Sequence, residues 1–155
     1  MIKQKPEIDA IRKAVSLSTE IFKELKKELV TFRTESDVNA KINIMFAERK
    51  VVPAYESIVA SGANACTLHY VKNNSDIKSN SLLLIDAGAE YCNYASDITR
   101  TYSTGEATKR QKQVFESVVQ VQNYAMTMLR PGTTIKDYEQ KVEDIMGEKL
   151  IELGL

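Results

Sequence analysis

The sequence is poor in several things at once, and each shortage narrows what the chain can be. It holds two cysteines in 155 residues, Cys66 and Cys92, with no Cys-x-x-Cys spacing. That argues against a disulfide scaffold and for free thiols in a reducing compartment, so the expected location is cytoplasmic. Apolar runs stop at about four residues, far short of the roughly 20 that a membrane-spanning helix needs. The opening stretch, MIKQKPEIDA, has no apolar core of a secretory signal. Charge of one sign is also missing: Lys plus Arg number 21 and Asp plus Glu 21. Such a balance offers no basic face for nucleic acid and no acidic tail. There is no low-complexity segment and no repeat of solenoid length. Histidine is down to one residue, His69.

What is present reads as one globular domain with a real core: 43% of residues are apolar and 27% charged, ordinary values for a packed chain of this length. From Glu7 to about Arg33, Ile8, Ile11, Val15, Phe22, Leu25 and Leu29 fall at helical spacing, with Pro6 suited to the start. A second helix is expected from about Ser36 to Lys50, with Val38, Ile42, Met45 and Phe46 on one side and Thr-Glu-Ser supplying the cap. The texture then changes. Gly62, Asn64, Asn73, Asn74, Ser75 and Asn80 mark turns. Between them, residues 55–60, 66–71, 82–87 and 94–102 read as strands. Helices return after Gly105. Thr108 and Gln111 form a capping box ahead of Val114, Phe115, Val118, Val121, Ala125 and Met128. Arg-Pro-Gly ends that helix, and Thr133 or Thr134 caps a last one carrying Ile135, Tyr138, Val142 and Ile145. Two helices, a mostly antiparallel sheet of about four strands and two more helices make an α+β fold.

One stretch resists a purely structural reading: LLLIDAGAEYCNYASDITRT, residues 82–101. Four aliphatic residues run into Asp86, and Asp97 follows eleven positions later. Glu-Tyr-Cys-Asn-Tyr-Ala between the last two strands suits a tight hairpin. Strand partners across a two-residue turn are an odd number apart, so the two aspartates share a face. With Tyr91-Cys92 at the turn they are directly opposite, Cβ atoms about 4.5–5.5 Å apart; with Cys92-Asn93 they are diagonal neighbours. Residues 82–85 are apolar on both faces, as in a strand covered on both sides. Two carboxylates there repel and are costly to bury unless a cation lies between them. A divalent metal, or a pair about 3.5–4 Å apart, satisfies them; a hairpin tip that leaves both acids in water is the alternative.

The residues around the pair are more specific. YESIVASGANACTLHY at 55–70, IDAGAEY and YASDITRT closely resemble the catalytic domain of Xaa-Pro aminopeptidases, the aminopeptidase P group of the pita-bread metallopeptidases, which also include prolidase, methionine aminopeptidase and creatinase. KPEIDAIRKA and RPGTT extend the resemblance over essentially the whole chain. It implies a hydrolase, a metal-dependent aminopeptidase that removes the residue ahead of proline by attack of a hydroxide activated by two divalent ions, often manganese. It implies metal ligation by Asp86 and Asp97, the latter shared between the metals. His69 matches a non-ligand histidine beside the substrate that assists the reaction, and Tyr55 an aromatic position lining the same cleft. The family's other ligands, a histidine and two glutamates, have no counterpart after Asp97. Residues 1–155 are therefore expected to be the N-terminal half of a pita-bread catalytic domain, without a preceding domain and without its C-terminal half. On that reading the peptide substrate and the missing half are partners. The isolated chain binds metal weakly, lacks activity and self-associates through its uncovered sheet. A prolidase fragment, or a pita-bread module that binds peptide without catalysis, are the alternatives.

Overall fold

The structure, a computed structural model, describes residues 2–155. The chain divides into two compact units, one ending at Glu106 and the other comprising Ala107–Leu155.

The first unit opens with α1 (Lys5–Glu28), started by Pro6, followed by a short 3-10 turn at Leu29–Thr31 and α2 (Glu35–Glu48). Thr34 caps α2: its hydroxyl accepts the Asp37 amide, and the Asp37 carboxylate accepts the Thr34 amide. Six short strands follow: β1 (Val52–Pro53), β2 (Ile58–Ser61), β3 (Leu82–Ala87), β4 (Ala89–Tyr91), β5 (Tyr94–Ala95) and β6 (Ile98–Ser103). They form two antiparallel three-stranded sheets, ordered β1-β4-β5 and β2-β3-β6. β3 and β4 are one strand interrupted at Gly88; β5 and β6 are one strand interrupted at Ser96 and Asp97. The register is continuous across the interruption. Leu82 faces Ser103 and Ala87 faces Ile98 on one side of it; Glu90 faces Ala95 and Tyr91 faces Tyr94 on the other. The connecting turn is Cys92-Asn93, with φ of 51° and 65°, the left-handed pair that a type I′ turn demands.

The core lies between the two helices and one face of this hairpin. Leu17, Ile21, Phe22, Leu25 and Leu29 meet Val38, Ile42, Met45 and Phe46, and both sets meet Val59, Leu83, Ile85, Ala87 and Ala89. The buried face of α1 is not the expected one in its first half. Ala10, Ala14, Leu17 and Ser18 point inward, while Ile8 and Val15 are 38% and 44% exposed. The small side chains let the helix approach β4 and β5, where an isoleucine would hold it off. Ser18 takes part in a buried polar contact there. Its hydroxyl lies 2.7 Å from that of Ser96, and both accept the Ala89 amide, at 2.8 and 3.0 Å.

Three sequence expectations need correcting in this unit. Residues 66–71 are not a strand: a 3-10 turn covers Gly62–Cys66, and the chain from there to Ser81 is irregular. His69, Asn73 and Asn80 adopt left-handed backbone, with φ of 52°, 47° and 56°, which no ladder accommodates. The strand expected at 55–60 begins only at Ile58. Finally, β3 is not covered on both sides. Leu83, Ile85 and Ala87 are buried, but Leu82, Leu84 and Asp86 are half-buried on a more open face.

The second unit is a helical hairpin of α3 (Lys109–Met128) and α4 (Ile135–Glu152), which pack on each other. Thr108 and Gln111 form the capping box, Gly132 takes φ 95° after α3, and the Thr134 hydroxyl accepts the Asp137 amide. Val121, Ala125 and Met128 are the buried positions of α3. Phe115 and Val118, expected in the same stripe, are about half exposed.

Candidate metal centre

The hairpin register decides between the two arrangements left open for Asp86 and Asp97. Asp86 pairs with Thr99, and the continuous register sets Asp97 across from Gly88. The two aspartates are diagonal neighbours on the open face of the sheet. Asp86 is half-buried and Asp97 exposed, so the cost of burying this anionic pair is smaller than expected from the aliphatic run before it.

Gly88 makes the geometry possible. A Cβ at this position would lie 1.8 Å from the carbonyl oxygen of Ser96, well inside any contact distance. The two backbones come together there because the Ser18 and Ser96 hydroxyls draw in the Ala89 amide, and because the Ser96 amide donates to the Ala89 carbonyl at 2.9 Å. The Asp-Ala-Gly sequence thus places a carboxylate two residues ahead of the one position where the facing strand can approach so closely.

A third side chain joins the pair. The Ala54 amide donates to the Gly88 carbonyl at 2.8 Å, and Ile58 pairs with Asp86. Three residues, 55–57, therefore span what the neighbouring strand covers with Ala87 alone. This bulge carries the Tyr55 ring over Gly88, its Cε1 3.1 Å from where a Cβ would stand, in the way bulges re-aim side chains beside functional sites. The Tyr55 hydroxyl is 2.5 Å from Asp86 Oδ1 and 3.0 Å from Asp97 Oδ1. Burial pushes its pKa far up, and the hydrogen bonds to the two carboxylates and their charges push it further. Tyr55 stays a phenol and a donor at any ordinary pH.

His69 is not part of this constellation. It is exposed, and among the described residues no three side chains of His, Cys, Asp and Glu come together as a metal-binding group. Its loop is held instead by a residue that sequence reasoning passed over. Glu35, in the first turn of α2, is fully buried. Its Oε1 accepts the Ser61 amide at 2.7 Å and Asn64 Nδ2 at 2.9 Å; its Oε2 accepts the Tyr70 hydroxyl at 2.8 Å and the Ser75 amide at 2.9 Å. Burial raises the Glu35 pKa, but these four donors outweigh burial and hold it below the usual carboxylate value. Asn73 was legible only as a turn marker. It closes the edge of β2, accepting the Val59 amide at 2.7 Å and donating to the Ser57 carbonyl at 2.8 Å. The signal for Glu35, an acid directly after a Thr cap, is also the signal for a solvated first turn, so nothing local distinguished it.

The donor chemistry at the hairpin suits a hard divalent cation. Two carboxylates converge on one proton donor, both oxygens are aimed at the same place, and the face is open enough to admit an ion. That makes two candidate ligands, and the described residues supply no complete set. Cys66 and Cys92 are free and exposed and add no thiolate.

Comparison with known proteins places the chain in a family. Residues 9–155 match metallopeptidase family M24. The Xaa-Pro aminopeptidase of Haemophilus influenzae is 39% identical over 125 residues, covering 80% of this chain and 28% of that protein. The Xaa-Pro aminopeptidase of Escherichia coli is 32% identical over 160 residues, covering 100% of this chain and 36% of that one. Among solved structures, a substrate complex of an Escherichia coli aminopeptidase P variant superimposes with a TM-score of 0.89 at 31% identity, over 97% of this chain and 34% of that chain. Proline aminopeptidase P II from Yersinia pestis gives 0.89 at 34% identity, over 97% and 35%. The chain spans about a third of the length of these relatives. Among the described residues, no helix is long and apolar enough to cross a membrane. Fold and sequence match agree: this chain has the α+β pita-bread fold of aminopeptidase P along its length and belongs to metallopeptidase family M24.

Proposed function

We propose that the chain supplies the first half of the catalytic domain of an Xaa-Pro aminopeptidase, with Asp86 and Asp97 as two of its metal ligands. The observation that carries this reading is the meeting of Asp86, Asp97 and Tyr55 around a single hydroxyl. A divalent pair bound there, manganese on the family reading, supplies the Lewis acidity that makes water nucleophilic near neutral pH. The chain's own groups do the rest. The two carboxylates hold positive charge at the open face of the hairpin. Tyr55 donates toward both and keeps them aimed at one point. His69 donates a hydrogen bond to the charge that develops on the substrate ahead of proline. The remaining ligands come from a second half of the domain, so this chain alone binds metal weakly and does not turn over peptide. Its half-covered strand face, with Ile58, Leu82 and Leu84, and the free edge of β6 favour self-association while that half is absent.

The decisive experiment co-expresses this chain with the C-terminal half of a related enzyme and assays an Xaa-Pro peptide with manganese. Turnover by the pair, none by either part, and loss of more than about a hundredfold in Asp97→Ala are expected. A module that only binds peptide retains affinity and shows no turnover in the assembled pair, and that outcome overturns the proposal.

A further inference from the structure

His69 stands within a turn in left-handed backbone, φ 52°, a region sparsely populated by residues other than glycine. Packing does not impose it. Leu68 beside it is 91% exposed, Val71 is 40% exposed, and His69 itself is exposed. The loop tip touches the body of the unit through few bonds. The Thr67 amide donates to the Asn64 carbonyl at 3.0 Å. Asn64 and Tyr70, on either side of His69, both end on Glu35, and Asn64 Nδ2 lies 3.0 Å from the Tyr70 hydroxyl. A carboxylate that served only to close the helix end and the β2 terminus would need the Ser61 and Ser75 amides. It would not need the hydroxyl of the residue that follows His69.

We propose that Glu35 and Tyr70 are positioning residues for His69: the buried carboxylate on α2 fixes the Tyr70 side chain, and Tyr70 fixes the backbone that presents the imidazole. This rests on the function proposed above, in which His69 meets the substrate. It goes further by assigning the reach and direction of that imidazole to a buried residue 34 positions earlier.

Tyr70→Phe separates this role from general stability, because it leaves the Ser61, Asn64 and Ser75 donors on Glu35. His69 is the single imidazole of the chain, so its signals are read without ambiguity. In the wild-type chain the His69 amide is expected to show a backbone order parameter near about 0.85, falling below about 0.6 in Tyr70→Phe. A wild-type value already below about 0.6, or equal values in the two proteins, overturns the proposal; the first of these needs no variant and keeps the test sharp even if Tyr70→Phe fails to fold. In the assembled enzyme Tyr70→Phe is expected to lower kcat about tenfold or more with KM changed less than about twofold. Equal kcat in an active assembly overturns the positioning role alone. A wild-type assembly with no Xaa-Pro turnover overturns the proposed function, and with it the catalytic meaning of the anchor.

Discussion

Two neighbouring stretches of the first unit are built on opposite principles. The hairpin of residues 82–103 is a ladder. Its partners follow from one turn, its register is continuous, and its inward positions are aliphatic. The loop of residues 62–81 has no ladder and little packing, and is organised by side chains that stand in for one. Glu35 accepts four bonds and Asn73 makes two where a strand would have used backbone. Both stretches carry residues proposed for the site, two aspartates in the one and a histidine in the other. On the reading proposed above, the aspartates are aimed by sheet geometry and the histidine by a buried carboxylate whose bonds to the loop's ends span 26 to 40 residues of sequence.

Substitutions can break this comparison from either side, and the largest effect is expected in the ladder. Gly88→Ala puts a methyl into the Ser96 carbonyl. The backbones must separate, at a cost of about 3 kcal/mol or more, read as a lower denaturation midpoint; a loss under about 1 kcal/mol would show that the close approach is dispensable. Glu35→Ala comes next. It leaves the Ser61 and Ser75 amides without acceptors, for a loss of about 2–3 kcal/mol, with faster amide exchange in the loop and little change in the hairpin. The same contrast appears with pH. The Glu35 pKa is depressed in the folded chain, so its contribution is complete above the unfolded value of about 4.5 and is lost as pH falls through the lower folded value. Exchange at Ser61 and Ser75 should therefore rise on acidification before that of the β3–β6 ladder does. Simultaneous loss in both would mean the two stretches open as one unit. The smallest effect is expected for Ser18→Ala. The Ala89 amide keeps the Ser96 hydroxyl as acceptor, so the cost is about 1 kcal/mol.

The comparison also explains what could be read in advance. The hairpin was legible because its information is local: the aliphatic run of residues 82–85, an asparagine able to take positive φ in the turn, and two acids at a separation that keeps them on one face. The caps at Thr34, Thr108 and Thr134 were legible for the same reason. The loop was misread as a strand at 66–71 because Thr67, Leu68, Tyr70 and Val71 have strand propensity. The bonds that override this propensity come from α2. Tyr55 is expected in the cleft only from the family resemblance, and its place as the donor between both aspartates is not readable, since the bulge at 55–57 leaves no mark in the residue pattern. In α1 the aliphatic positions were followed where the alanines, Ala10 and Ala14, decide the packing.

The alternation along the hairpin sets a rule for how this part of the chain can change in length. Ten residues separate Asp86 from Asp97, and the facing strands pass so tightly at Gly88 that neither can slide. One residue added or removed between the acids would turn Asp97 to the core side of the sheet. Growth at the tip, in matched couples with one residue on each arm, would leave both carboxylates where they are. The Cys92-Asn93 end is therefore the place where a reporter loop or affinity handle can be grafted, provided the graft respects that parity.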